Sequence, residues 1–231
     1  MTNWVHFYDF KHSVIYVNER HRDVHYRTIA KDIRAYVRSR KARVLDYGSG
    51  EATSASLVAA ACGHLTLAEA APNVRASLTA RYAGNKKISV VKPAEVKAMR
   101  PGSFDLIVMH SVAQYLDRAE LERLLSLFRK LLKRDGLLVV GDVVPPRFSA
   151  LAAAFVLLRL GARNGFLGAA IFGLIRILLS DYMRLRKSSG LSHYTAAQML
   201  TKLEAAGFRA QRARRNIGHN QWRMTFLGRP A

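Results

Sequence analysis

The chain has 231 residues, half of them hydrophobic and 23% charged, enough to bury one substantial core and not a second. A total of 37 Lys and Arg against 16 Asp and Glu gives a formal charge of +21, and a mean hydropathy of -0.02 excludes both a disordered basic tail and a bundle of membrane helices. With Cys62 as the only cysteine, an internal disulfide and a cysteine-rich zinc site are excluded, which fits a reducing compartment.

The opening residues, MTNWVHFYDFKHSV, hold no apolar run backed by a small-residue cleavage site, so no secretory signal is read and a cytoplasmic location is expected. From Val14 to Arg40, Ile15, Val24, Ile29, Ile33 and Val37 recur near helical spacing, predicting a helical N-terminal cap over residues 1–40. The main domain, residues 41–231, begins with a strand at Arg43–Asp46 that runs into the turn Tyr47-Gly48-Ser49-Gly50 and a small-residue helix, Thr53–Cys62. Leu65–Glu69, Pro72–Tyr82 and Ile88–Val91 continue as strand, helix and strand. Phe104–Met109 forms a fourth strand, Leu121–Leu132 a basic amphipathic helix and Leu137–Asp142 a fifth strand. Continuous apolar strands of this kind belong to a parallel sheet covered on both faces. Pro145-Pro146 ends the alternation, and residues 147–192 read as an insertion. A helix at Thr195–Ala206 follows, then strands at Phe208–Arg212 and Gln221–Leu227 around a turn at Ile217–Asn220, as an antiparallel edge. The expected fold is α/β: a doubly wound, mostly parallel seven-stranded sheet of Rossmann type, with a helical N-terminal cap and lid helices inserted after the fifth strand.

The turn after the first strand has two glycines that let backbone approach a ligand, and Glu69 ends the second strand about 20 residues on, where a ribose diol needs an acceptor. Thr53 stands where a dinucleotide motif has its third glycine, which argues against a nicotinamide cofactor. Val44–Gly50, Glu69, Gly102–Met109 and Asp135–Val140 together resemble the class I S-adenosylmethionine-dependent methyltransferases, in their small-molecule, lipid or quinone-like branch. The resemblance covers about Arg43 to Asp142. It implies S-adenosyl-L-methionine as cofactor, with Tyr47, Gly48, Ser49 and Gly50 along its methionine part, Asp46 ordering the turn, and Glu69 with Ala70 at the ribose. His110 and Ser111 would border the sulfonium, and Tyr26 would close over the cofactor from the cap. Where the family has an acid for the adenine amino group this chain has Pro93, leaving Ala94, Glu95 or a backbone carbonyl for that task.

The loop after the fourth strand, His110–Leu116, lacks the Asp/Asn-Pro-Pro-aromatic pattern of base N-methylation, and Cys62 sits on a crossover helix, away from any role as an RNA-directed nucleophile. The insertion joins Leu151, Phe155, Phe166, Ile171 and Phe172 to Arg147, Arg159, Arg163, Arg176, Arg184, Arg186 and Lys187, with Asp181 its only acid. Its apolar runs are too short to span a bilayer but suit a lid resting on an anionic membrane surface and admitting a lipid-like or hydrophobic acceptor. The same lid is the face through which two copies would pair as a homodimer. The remaining cations, from Arg20 to Arg43 and from Arg209 to Arg223, keep open a nucleic-acid methyltransferase or binder as the second reading, and a non-catalytic relative as the third.

His21 and His25 lie four apart without a third ligand, so no metal is expected. The candidate catalytic bases are His110, then His193, Tyr194 and His219. Whether the acceptor atom is O, N or C is not written in the sequence.

Overall fold

The computed structural model describes Val5, Asp9 and residues 16–147, 149–178 and 191–231. The elements in chain order are α1 Glu19–Tyr36, β1 Arg43–Tyr47, α2 Ala55–Ala59, β2 His64–Ala68, α3 Pro72–Tyr82, β3 Ile88–Val91, α4 Pro93–Lys97 and β4 Phe104–His110. A short 3-10 turn at Ala113–Tyr115 leads to α5 Arg118–Leu131, β5 Leu132–Val143, α6 Ala150–Asn164, α7 Leu167–Leu178, α8 Ala196–Ala205, β6 Phe208–Arg212 and β7 Met224–Pro230. The strands form one sheet in the order β3-β2-β1-β4-β5-β7-β6, parallel through β5 and antiparallel at β7 and β6. The doubly wound, seven-stranded fold expected from the sequence is therefore the fold observed.

The apolar strand runs explain the two layers. Leu45, Ile107, Met109, Leu138 and Val140 pack on one side with α5 and α8, while Val44, Leu65, Leu67, Leu106, Val108 and Val139 pack on the other with α1, α2 and α3. The period of two sends alternate residues of each central strand to opposite cores, so both faces need apolar side chains.

Several boundaries differ from the expectation, each for a local reason. Asp117 caps α5 by accepting from the Glu120 backbone N–H at 2.7 Å, and the Glu120 carboxylate accepts from the Asp117 N–H at 2.9 Å, so the helix begins at Arg118 rather than Leu121. β5 begins at Leu132 rather than Leu137, with a register shift in its pairing with β4 between Phe104 and Leu106. α2 is confined to Ala55–Ala59 because the Tyr82 hydroxyl donates to the Ala52 carbonyl and accepts from the Ala55 N–H, pinning Ala52 at φ +36°. β7 starts at Met224 rather than Gln221, since the Gln221 side chain is spent inside the loop on the Asn216 and Gly218 carbonyls.

The helical cap is α1, capped by Asn18, whose side chain accepts from the His21 N–H at 2.8 Å. The described part of the insertion forms the α6–α7 hairpin, turned by Gly165 in the left-handed region at φ +72°. Among the described residues no helix is long and apolar enough to cross a membrane. Of the insertion residues named above, Asp181, Arg184, Arg186 and Lys187 lie outside the described residues, as do Val14 and Ile15 of the expected cap helix.

Candidate active site

In open α/β sheets ligands bind beyond the carboxyl ends of the strands where strand order reverses. Here the reversal falls between β1 and β4, and a cavity of about 440 Å³ lies there. Its floor is the β1 turn and the end of β4, α1 forms one wall, and Ala153, Val156 and Leu157 of α6 form the roof.

The turn is shaped for close approach. Gly48 and Gly50 have φ of +74° and +58°, and a Cβ on Gly48 would lie 2.3 Å from Val112 Cγ2. The Ala68 carbonyl accepts from the Gly48 N–H at 2.8 Å and the Ser49 N–H at 3.3 Å, and Glu69 Oε2 accepts from the Gly50 N–H at 2.8 Å. It is these groups, and not Asp46, that order the turn, because Asp46 has no hydrogen bond to it among the described residues. Asp46 instead lines the cavity, and burial followed by the nearby charge of Glu69 pushes its pKa up to about 7. Glu69 is buried, which raises its pKa, while N–H groups of Ala71 and Gly50 hold the carboxylate in place. The Ser49 hydroxyl is buried without a hydrogen-bond partner among the described residues. A cradle of bare backbone, two inward carboxylates and an unmatched hydroxyl fits a ligand with a ribose diol and an ammonium group, as S-adenosylmethionine has.

Tyr26 closes this half from α1: its hydroxyl accepts from the Glu51 N–H at 3.0 Å and from the Tyr16 hydroxyl at 3.1 Å. At the end where the sequence resemblance would put adenine, Ala70 and Pro93 line the cavity. Ala94 and Glu95 do not: both are exposed, and Glu95 Oε2 accepts from the Lys92 N–H at 2.9 Å. The acid expected to replace the family's adenine acceptor is thus occupied at the start of α4.

The other half of the cavity is a cluster of rings. His21, His25 and His219 sit with centroids 5.6–6.4 Å apart, His21 stacks on Phe166 at 5.3 Å, and His110 stands at the end of β4. Burial lowers the pKa of each, for His21 to about 4, which favours the neutral imidazole. His110 Nε2 lies 3.3 Å from the Ile217 carbonyl, which can only accept, so Nε2 carries the proton and Nδ1 is basic. His219 Nδ1 is buried without a hydrogen-bond partner among the described residues.

Beneath the rings lies Asp142, at φ +63° at the end of β5. Burial alone would raise its pKa, but Arg223, His110 and the Ser111 hydroxyl together hold it below the usual carboxylate range. Asp142 accepts from the Arg223 guanidinium, the Ser111 hydroxyl and Asn216 Nδ2, while its own N–H donates to Asn216 Oδ1 at 3.0 Å. This network anchors the loop carrying His219. His193 and Tyr194 are not brought to the cavity: His193 is exposed, and Tyr194 is buried in the α8 core with its N–H on the Val144 carbonyl. Asp142, Gln114, Tyr16 and His21 line the cavity without having been singled out for it. For Asp142 a signal existed, its place at the carboxyl end of the strand beside the reversal.

Fold and cavity together give a Rossmann-type sheet with a ligand-sized cavity at the carboxyl end of β1. Residues 45–140 match the family described as Methyltransferase domain. No curated protein sequence matches the chain. Among solved structures, a chain of the complex between the Haloferax volcanii Trm112 methyltransferase activator and a methyltransferase superposes with a TM-score of 0.63 at 11% identity, over 100% of this chain and 99% of that one. The mitomycin 7-O-methyltransferase MmcR gives 0.60 at 20% identity, over 87% and 53%. Human N-acetylserotonin methyltransferase in complex with its cofactor gives 0.56 at 14% identity, over 89% and 51%. At these identities what is shared is the fold, and the chain spans about half the length of the last two.

Proposed function

We propose that the protein methylates a hydrophobic or lipid-like small molecule at a membrane surface, drawing the methyl group from S-adenosylmethionine. The observation that carries the acceptor class is the roof of the cavity. α6 turns Ala153, Val156 and Leu157 inward and leaves Leu151 82% and Phe155 61% exposed, while Ile171, Phe172 and Ile175 of the packed α7 are exposed as well. Monomers rarely leave several large apolar side chains together in water. Arg159, Arg163 and Arg176 are exposed on the same two helices, as an anionic headgroup layer would favour.

When bound, the cofactor supplies a methyl carbon already activated by its sulfonium. The chain's own residues then orient and exclude water. Glu69, Asp46 and the glycine turn hold the cofactor side. For a hydroxyl acceptor, the proton released as the methyl bond forms passes to a neutral imidazole, with His110 Nδ1 or His219 Nδ1 available and Asp142 steadying the imidazolium. For an amine that is already deprotonated, no base is needed.

The test is incubation with methyl-labelled cofactor and a lysate of the source cells, followed by partition of label among organic, protein and nucleic-acid fractions. Label in the organic phase, lost in Glu69→Ala, is expected. Label in RNA would overturn the acceptor class and favour the reading in which the exposed cations hold nucleic acid. No label anywhere, with no cofactor bound at millimolar concentration, would make the chain a non-catalytic relative.

A further inference from the structure

One helix, α1, faces three ways. Its inner side supplies His25, Tyr26 and Ile29 to the cavity. Toward the cofactor turn, the Tyr26 hydroxyl accepts from the Glu51 N–H and the Arg22 guanidinium lies 3.5 Å from the Glu51 carboxylate. Toward the lid, Arg20 Nε donates to the Asn164 carbonyl at the α6–α7 corner, His21 stacks on Phe166, and Gly173 of α7 packs so closely that a Cβ would lie 2.2 Å from Val17 Cγ1.

The outward side is a stripe of cations. Arg20, Arg27, Lys31 and Arg34 are all exposed, and at 3.6 residues per turn they fall within an arc of about 60°, opposite Ile29. Lys31 stands four residues after Arg27 and three before Arg34, spacings at which like charges weaken a helix. The stripe starts at the lid corner, through Arg20, and so continues the arginine-rimmed apolar face of α6 and α7.

We propose that this stripe is the electrostatic contact with an anionic bilayer, and that docking there tightens cofactor binding because α1 also braces the cofactor turn. The proposal rests on the methyltransferase reading above and names the regulation of that same site. Lipid phosphates would cancel the repulsion along α1, each cation near the surface adding attraction. A firmer α1 holds Tyr26 and Arg22 on Glu51, and so keeps the turn in its ligand-binding shape. Coupling of this kind is reciprocal, so bound cofactor would also strengthen docking.

The experiment is titration of the full chain with S-adenosylhomocysteine, alone, with phosphatidylcholine vesicles, and with vesicles containing phosphatidylglycerol. Expected is a Kd at least about fivefold lower on the anionic vesicles, the low end of ordinary coupling, and no change on the neutral ones. Reversal of the stripe, Arg27→Glu with Lys31→Glu and Arg34→Glu, should abolish the shift and weaken sedimentation with vesicles while leaving the Kd in solution as before. The neutral triple variant to Gln covers the case in which reversal unfolds α1: it lifts the repulsion without lipid, so its Kd in solution should already fall below that of the unaltered chain, with no further drop on anionic vesicles. An unchanged Kd on anionic vesicles overturns the proposal and leaves the methyltransferase reading standing. So does a stable dimer that ignores vesicles, or a shift produced by RNA and not by lipid. Failure to bind S-adenosylhomocysteine under any condition overturns both.

Discussion

Replacing Gly50 by alanine probes the cofactor turn and its brace at once. Gly50 sits at φ +58°, where an L-residue is disfavoured by about 1–2 kcal/mol. Its new Cβ would lie 2.8 Å from the Tyr26 hydroxyl, which must move. That hydroxyl accepts from the Glu51 N–H and the Tyr16 hydroxyl, and losing both bonds costs about 0.5–1.5 kcal/mol each. Gly50→Ala is therefore expected to destabilise by about 2–5 kcal/mol in all. In a Tyr26→Phe background the oxygen and its bonds are already gone, so only the backbone part should remain. Denaturant unfolding of the wild type, both single variants and the double variant gives the interaction energy, expected at about 1–3 kcal/mol. An equal cost of Gly50→Ala in both backgrounds would refute the claim that Tyr26 braces the turn.

Cofactor affinity should rise with pH and level off above about 7, because Asp46 is neutral below its raised pKa and meets the ligand's ammonium only when ionised. Calorimetric titration at pH 6, 7 and 8 measures this, and Asp46→Asn should flatten the profile. Phe155→Ser with Phe172→Ser should leave the unfolding free energy within about 0.5 kcal/mol, as both rings are mostly exposed, yet reduce vesicle binding at least about tenfold in a sedimentation assay. His193→Ala should change neither S-adenosylhomocysteine affinity nor turnover, since that imidazole lies in solvent outside the cavity.

The central sheet was legible because its strands are short apolar runs alternating with helical stretches, and both the β1 turn and Glu69 could be placed from spacing. What failed were assignments that depend on where a side chain finds its partner. Glu95 sits within reach of the adenine end in sequence, but the open N–H of Lys92 is nearer. Asp46 was expected to order the turn, a task that the Ala68 carbonyl and Glu69 perform through bonds between residues 19–20 positions apart. His193 follows the insertion directly, yet the Tyr194 N–H bonds to Val144 and fixes the chain with His193 outward. The imidazole cluster draws on α1, β4 and the loop before β7, and no local pattern brings those three together.

The edge of the sheet bears on how the net charge is read. β6 is paired on one side only, and Arg209 and Arg212 stand exposed along it. An unprotected strand edge invites a second molecule to add its own strand, and charged side chains are a common guard against that. Arg209 also lies directly across from Arg229 on β7, a like-charge pairing that weakens the ladder slightly and is relieved by salt. Arg209 and Arg212 thus place part of the +21 charge where it would oppose edge-to-edge pairing. Neutralising Arg209 and Arg212 would show itself as concentration-dependent aggregation at low salt, in a protein whose affinity for cofactor and for lipid had not changed.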